Sequence, residues 1–288
     1  MSPTSIPDNI FKLFLIRIKG MSCDKYEIRD YREQFNKERF CGFTVIHRET
    51  DLWIGTDPDA SRISQKNLAG TDNQVDVLEK MKKISVEKIE VLRKKLDDFI
   101  YSEPEFAQSM GPYAPANNVP AEITEMAAAA AKAGIGPMAS VAGLFAREVG
   151  RTLLQNFSLK ELVIENGGDI FAVINEEMVL SVFAGDSPLS GKIGLVIPPE
   201  TGQIGFCTSS GTVGPSLSFG KADAVAVVCR DVLLADAFAT ALCNRVKTPD
   251  DIEKVLEISK VYPEILSVVI ICKDKIGVQG EFEIRMIK

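Results

Sequence analysis

Three short segments carry residue types from which a binding site could be assembled. Thr208, Ser209, Ser210, Gly211, Thr212, Val213 and Gly214 form a hydroxyl- and glycine-rich run that follows an apolar stretch. Hydroxyls and backbone N–H groups on a tightly curved loop can surround a phosphate or carboxylate, because glycine permits the curvature that an anion nest needs. The run matches neither a Walker A loop nor a G-x-G-x-x-G fingerprint, and the same residue types make ordinary surface loops. Asp236 and Thr240 stand four residues apart within Ala235 to Leu242. On a helix that spacing puts a carboxylate and a hydroxyl on one face, where their oxygens could ligate a hard cation such as Mg²⁺. An exposed polar pair on an amphipathic helix has the same spacing. The third segment is Glu165, Asn166, Gly167, Gly168 and Asp169, whose Asn-Gly and Gly-Gly steps are also strong hairpin signals.

His47 is the only histidine, which removes a His-rich zinc cluster, a Ser-His-Asp triad built elsewhere and most ordinary general-base schemes. At a strand end it reads as a surface residue. Six cysteines (Cys23, Cys41, Cys207, Cys229, Cys243, Cys272) occur without a C-x-x-C pair, so they read as reduced thiols. Cys207 borders the hydroxyl-rich loop, where a reactive thiol and a small buried apolar residue are both open readings. No residue is assigned a catalytic role.

The elements that would position these segments follow from periodicity. Strand-like alternation occurs in Phe11 to Ile18, Cys41 to His47 and Asp51 to Ile54. Polar and turn residues from Gly55 to Asn73 separate these from a charged helix in which Ile89, Leu92, Leu96 and Phe99 recur, ending before Pro104. Alanine-rich Glu122 to Ala133 is helical by propensity and stops at Gly134 and Gly136. Pro137 suits a first helical turn, and Met138, Val141, Leu144, Phe145, Val149 and Leu153 continue an apolar face. Strands are then expected at Leu162 to Ile164, Ile170 to Ile174, Met178 to Phe183, Ile193 to Ile197, Ile204 to Cys207 and Ala224 to Val228. A helix from Leu234 to Val246 and a short one begun by Thr248 and Pro249 precede strands at Ser267 to Cys272, Ile276 to Val278 and Phe282 to Ile287. Strand runs interrupted by helices, without regular alternation, argue α+β rather than a doubly wound parallel sheet. The short turns between Leu162 and Cys207 allow antiparallel hairpins, and these strands should pack on the helices beginning near Pro137 and Leu234.

The 288 residues are 45% hydrophobic and 25% charged, as in a globular protein able to bury a sizeable core. Lys and Arg number 33 against 40 Asp and Glu, a formal charge of −7 that makes nucleic acid an unexpected partner. The apolar stretch Ile265 to Cys272, broken by Ser267, falls far short of the roughly 18 to 20 residues of a spanning helix. No membrane partner and a cytoplasmic location are therefore expected. One domain over residues 1–288, with room for two internal sheet-plus-helix halves, accommodates the length.

In this order the pieces resemble the ApbE superfamily, whose best-known members are flavin transferases once described as thiamine-biosynthesis proteins. Asn166 to Asp169 resembles its Gly-Gly-Asp strand turn, Thr208 to Gly211 its Thr-Ser-Gly loop, and Ala235 to Leu242 its Ala-Asp-x-x-Ala-Thr-Ala-Leu metal helix. A closer resemblance is to a cytoplasmic branch of that superfamily, through Tyr31 and Arg32, Glu49 to Leu52, Pro104 to Phe106, Gly134 to Gly143, Glu165 to Asp169, Thr208 to Gly214 and Ala222 to Ala224. The resemblance implies a T-fold-like α+β architecture of antiparallel sheets packed against helices. It places a small anionic ligand of the flavin or nucleotide type, FAD or FMN included, at Asn166, Gly167, Gly168, Asp169, Thr208, Ser209, Ser210, Gly211 and Thr212. Mg²⁺ would sit at Asp236 and Thr240, assisted by a backbone carbonyl near Val141 or by water and ligand oxygens. The branch is associated with anaerobes and methanogens and with a proposed role in sulfide assimilation towards homocysteine, which implies a protein partner in sulfur metabolism.

The chain departs from the transferase pattern where acid–base chemistry is expected. The transferases carry a His-x-x-Asp-Pro segment between loop and metal helix, where this chain has Ser216, Leu217, Ser218, Phe219, Gly220 and Lys221. The closer branch often has a histidine at the position of Pro215, and Ala142 stands where the transferases have lysine before Gly143. A kept metal helix with a lost acid–base position suggests a binding fold or a different reaction, and an accessory binding protein is the leading expectation. An FAD-dependent FMN transferase and a non-catalytic interaction subunit with a relic site are the alternatives.

Overall fold

The computed structural model describes residues 29, 31–32, 38–57, 74–116, 119–213 and 218–287, and the fold discussed below belongs to the unit Asn36–Lys288. The strand expected at Phe11 to Ile18 and the segment holding Pro215, Ser216 and Leu217 lie outside the described residues.

Strands β1 (Cys41–His47) and β2 (Thr50–Thr56) form a hairpin closed by Arg48, which takes a φ of 53°. Helix α1 (Gln74–Ser102) ends before Pro104, and a short α2 (Pro104–Gln108) follows. Helix α3 (Ala121–Ala133) stops at Gly134, whose φ of 75° lets its N–H reach back to Ala130 O and Ala131 O. That left-handed cap is one that glycine adopts without steric cost. A 3₁₀ turn (Pro137–Ser140) leads into α4 (Val141–Asn156). Next come β3 (Leu162–Asn166), β4 (Asp169–Val173), β5 (Met178–Ser181), β6 (Ile193–Ile197), β7 (Gln203–Ser209) and β8 (Ala224–Cys229). Helices α5 (Val232–Cys243) and α6 (Ile252–Ser259) precede β9 (Ile265–Cys272), β10 (Lys275–Gly280) and β11 (Glu283–Met286).

Eight strands form one sheet in the order β1-β2-β3-β4-β7-β8-β9-β10, and β11-β6-β5 form a second. Every pairing is antiparallel, which the short turns predict only for the strands between Leu162 and Cys207. The small sheet covers one face of the large one, where Leu180, Leu195 and Ile197 join Ala172, Phe206, Ala226 and Val269 in a single core. Helices α4 and α5 cover the other face at β3, β4, β7 and β8. Strand β8 is thus buried on both sides, which is why Ala224–Cys229 reads as an unbroken apolar run rather than an alternation. Two glycines let the helix layer sit low on the sheet. Gly150 lies against the Phe171 ring, and Gly205 lies against Val232, where a Cβ would come within 2.3 Å of the Val232 Cα.

Helix α5 begins two residues earlier than expected from its apolar face. Asp231 is its N-cap, and its side chain accepts the Leu233 N–H at 3.0 Å. The helix also ends sooner, at Cys243, and tight turns carry the chain through Arg245 and Val246. At Thr248 the expected cap is a full capping box, with Thr248 and Asp251 satisfying each other's backbone N–H groups.

Candidate functional site

The Glu165–Asp169 segment is the hairpin turn between β3 and β4, where Gly167 and Gly168 take φ values of 67° and 100°. These are backbone conformations that L side chains rarely adopt. Glu165 is buried and its Oε1 accepts the Gly168 N–H at 2.8 Å, which fixes the turn from within. On the neighbouring strand, Thr208 N donates to Gly168 O at 3.2 Å, and Asp169 pairs in register with Cys207. The turn and the start of the hydroxyl-rich loop are therefore one surface.

Helices α4 and α5 bring the remaining pieces. Asn166 Nδ2 donates to Ala142 O at 3.0 Å, tying the turn to the first residues of α4. Gly143 N donates to Asp236 Oδ2 at 2.8 Å, so an acid on α5 satisfies one of the N–H groups that the start of α4 leaves open. A Cβ on Gly143 would lie 2.9 Å from Val232 O and 3.2 Å from Asp236 Cβ; only glycine lets the helices approach this closely here. Arg147, one turn along α4, is almost fully buried. It bonds Glu125 and lies 3.3 Å from Glu148 and 3.7 Å from the N-cap Asp231, so it locks α3 and the start of α5 to α4.

Asp169, Asp236 and Cys207 consequently meet between the large sheet and the helix layer. Burial, and then the charge of Asp236, push the Asp169 carboxyl well above the usual range, partly offset by hydrogen bonds from Cys207 and the Thr208 N–H. Burial pushes Asp236 up to about 7, against hydrogen bonds from Gly143 and Ala142 that favour its charged form. The Cys207 thiol is raised too, by burial and then by Asp169 and Asp236, and lies 3.6 Å from Val232 O. It is a neutral buried group, not an activated nucleophile.

Thr240 lies one turn beyond Asp236 on α5 and is partly exposed. The far part of the hydroxyl-rich loop turns elsewhere. Ser210 Oγ accepts the N–H groups of Thr212 and Val213 at 3.1 and 2.9 Å, and Thr212 Oγ1 donates to Asp223 Oδ1 at 3.0 Å. Asp223 Oδ2 in turn accepts Lys273 N at 2.5 Å. Gly211 packs on the Gly220 carbonyl. Among the predicted site residues, Asn166 to Asp169, Thr208 and Asp236 thus converge, while Ser210 to Thr212 form a self-bonded loop held by Asp223. His47 lies 3.6 Å from Glu90 of α1, on β1.

Asp236 and Thr240 are the side chains here that could hold a divalent cation. Two buried carboxylates that repel one another are relieved by a positive charge, and Asp236 and Thr240 present oxygen, the atom Mg²⁺ prefers. Among the described residues no group of three or more His, Cys, Asp and Glu is arranged to hold a metal. Oxygens from water or a bound anion would have to complete the shell.

Arg147 sits inside a helix of ordinary pattern and has no local sequence signal. Gly143 and Glu165 fall in segments that the sequence singles out, but nothing local shows that Gly143 meets Asp236 or that the Glu165 carboxylate closes the turn.

A model of the family described as AbpE bacteria matches residues 32–260 of the chain. The UPF0280 protein of Methanocella arvoryzae is 41% identical over 192 residues, which cover 66% of this chain and 76% of that protein. The UPF0280 protein of Methanosphaerula palustris is 46% identical over 155 residues, 54% of this chain and 65% of that protein, just under two thirds of its length. Among solved structures, the flavinyl transferase ApbE of Pseudomonas stutzeri superposes with a TM-score of 0.51 at 13% identity, over 83% of this chain and 93% of that one. At that identity the likeness concerns the fold.

Proposed function

The chain belongs to the family described as AbpE bacteria, and from that premise we propose that it binds a small anionic ligand of the flavin or nucleotide type together with Mg²⁺. The observation that carries this reading is the buried pair Asp169 and Asp236, set between the N-terminal turn of α4 and the glycine turn after β3. Two carboxylates in a buried layer disfavour one another's charge, and a cation with an anionic ligand on its outer side is the arrangement that uses both. Asp236 and Thr240 would hold the metal; when bound, the metal would polarise a ligand phosphate. Asn166 and Thr208 would set the turn and loop against which the ligand lies.

Transfer of FMN from FAD is a second reading, favoured by the retained metal helix and disfavoured by the absence of a histidine to act as base. A relic site in an interaction subunit is the third. An accessory role in sulfide assimilation towards homocysteine, in the cytoplasm and with a protein partner, rests on the family resemblance alone. Among the described residues no single helix is long and apolar enough to cross a membrane.

Titration of FAD, FMN and ADP by fluorescence, with Mg²⁺ and with EDTA, tests the proposal. Mg²⁺-dependent binding of at least one of them, lost in Asp236→Ala, is expected. Absence of binding by all three under both conditions would leave the relic reading.

A further inference from the structure

Strand β10 ends the large sheet, and among the described residues its strand neighbour is β9 alone. Hydrogen-bond parity decides which of its backbone groups are left over. Asp223 N donates to Ile271 O, so Ile271 turns its polar groups toward β8, and Ile270 and Cys272 turn theirs toward β10. Glu281 N donates to Leu266 O, which gives the same parity from the other end. The pairs Lys275–Cys272, Gly277–Ile270 and Gln279–Val268 are therefore the hydrogen-bonded ones. Ile276, Val278 and Gly280 aim their N–H and C=O groups away from the sheet.

The side chains point to the same edge. Ile276 and Val278 pair with Ile271 and Val269, which are buried between the two sheets, yet Ile276 and Val278 are each 38% exposed. On the opposite face Gly277 lies against Ile252 and Leu256 of α6. The strand Lys275–Gly280 contains no proline, and its one charged residue stands at its first position. Edge strands that stay unpaired usually carry such blocking residues along their length.

We infer that β10 is a self-complementary docking edge and that its occupant is β10 of a second copy of this chain, antiparallel about a two-fold axis at Val278. Outward residues can bond only to outward residues, which fixes the register. Val278 faces the partner's Val278, and Ile276 faces the partner's Gly280, each pair closing two N–H···O bonds. Ile276 and Val278 of both copies then form one apolar strip on the small-sheet side. The same register sets Lys275 opposite the partner's Glu281, and symmetry makes this contact twice. Both residues are exposed, and they bring opposite charges together at the two ends of the pairing.

Size exclusion with light scattering on the full chain over a concentration series tests this, the expected mass tending to twice 31.5 kDa. Val278→Pro removes an N–H that β9 does not use, so its circular dichroism should match the parent while the mass falls to that of one chain. Lys275→Glu and Glu281→Lys should each weaken the dimer at low salt, and the double exchange should restore it. This restoration reads the register even if the proline variant fails to fold. One chain's mass at every concentration would overturn the inference. So would a dimer indifferent to the proline and to both single charge reversals.

Discussion

The carboxylate of Asp236 accepts the backbone N–H of Gly143 at 2.8 Å across 93 residues of sequence, so an acid on α5 closes the first turn of α4. This makes Asp236 a helix cap as well as the oxygen ligand proposed for a cation. The two roles separate experimentally because a cap needs only an acceptor, whereas a metal site needs charge.

Asp236→Asn keeps an acceptor of similar shape, and Asp236→Ala keeps none. A buried N–H left without a partner costs about 1–3 kcal/mol, so the alanine variant should unfold at lower denaturant than the asparagine variant. Mg²⁺-dependent ligand binding should be lost in both. Equal stability of the two variants would refute the capping role; Mg²⁺ dependence persisting in the asparagine variant would refute the metal role.

The pH dependence follows from the raised Asp236 pKa. Its folded value of about 7 lies above the ordinary 3.8, so between these values the folded chain holds a proton that the unfolded chain has released. The stability supplied by the protonated carboxyl is fully present below 3.8 and is lost as pH rises towards about 7. In metal-free buffer, stability should therefore decline across this window relative to Asp236→Asn, with a slope approaching about 1.4 kcal/mol per pH unit for one proton. Parallel pH profiles for the two proteins, measured by urea unfolding, would contradict it. Added Mg²⁺ favours the charged form and should lessen the decline.

Gly143→Ala sets two effects against each other. Alanine is favoured over glycine in a helix by about 1 kcal/mol, but the new Cβ would sit 2.9 Å from Val232 O, a backbone atom that cannot move alone. Overpacking costs about 1–3 kcal/mol, so net destabilisation and weaker ligand binding are expected. A more stable variant with unchanged binding would mean that α4 and α5 can separate without consequence.

Local patterns carry some of this architecture and not the rest. Ile193–Ile197 is bounded by turn residues on both sides, and its limits coincide with those read from the sequence. The antiparallel pairs β3–β4 and β5–β6 are legible because their connections are too short for crossovers, whereas the β4–β7 pairing skips two strands and is not. The start of α5 was misplaced because its first residues are apolar like the core strand before it, and only the capping Asp231 marks the boundary. The candidate site was legible as three segments but not as a pair. Nothing near Asp236 in sequence shows that it faces Gly143, or that Asp169 and Asp236 share one buried layer. Those relations arise from the packing of two helices on a sheet.

Incubation of the purified protein with FAD, Mg²⁺ and an acceptor protein should give no FMN addition at a rate typical of a flavin transferase. General-base assistance contributes typically about 10²- to 10⁴-fold, and the described residues near the site offer no free base. Asp223 is bonded by the Thr212 hydroxyl and the Lys273 N–H. Asp169 is buried beside Asp236 and accepts hydrogen bonds from Cys207 and the Thr208 N–H. Lys221 is exposed at the start of the stretch leading into β8. Cation binding would lower the Asp169 pKa and could return it to service, so the assay includes Asp169→Asn. Mass measurement of the acceptor decides the matter. Robust FMN addition by the parent protein that disappears in Asp169→Asn would make Asp169 the base and the protein a transferase, against the binding role proposed above.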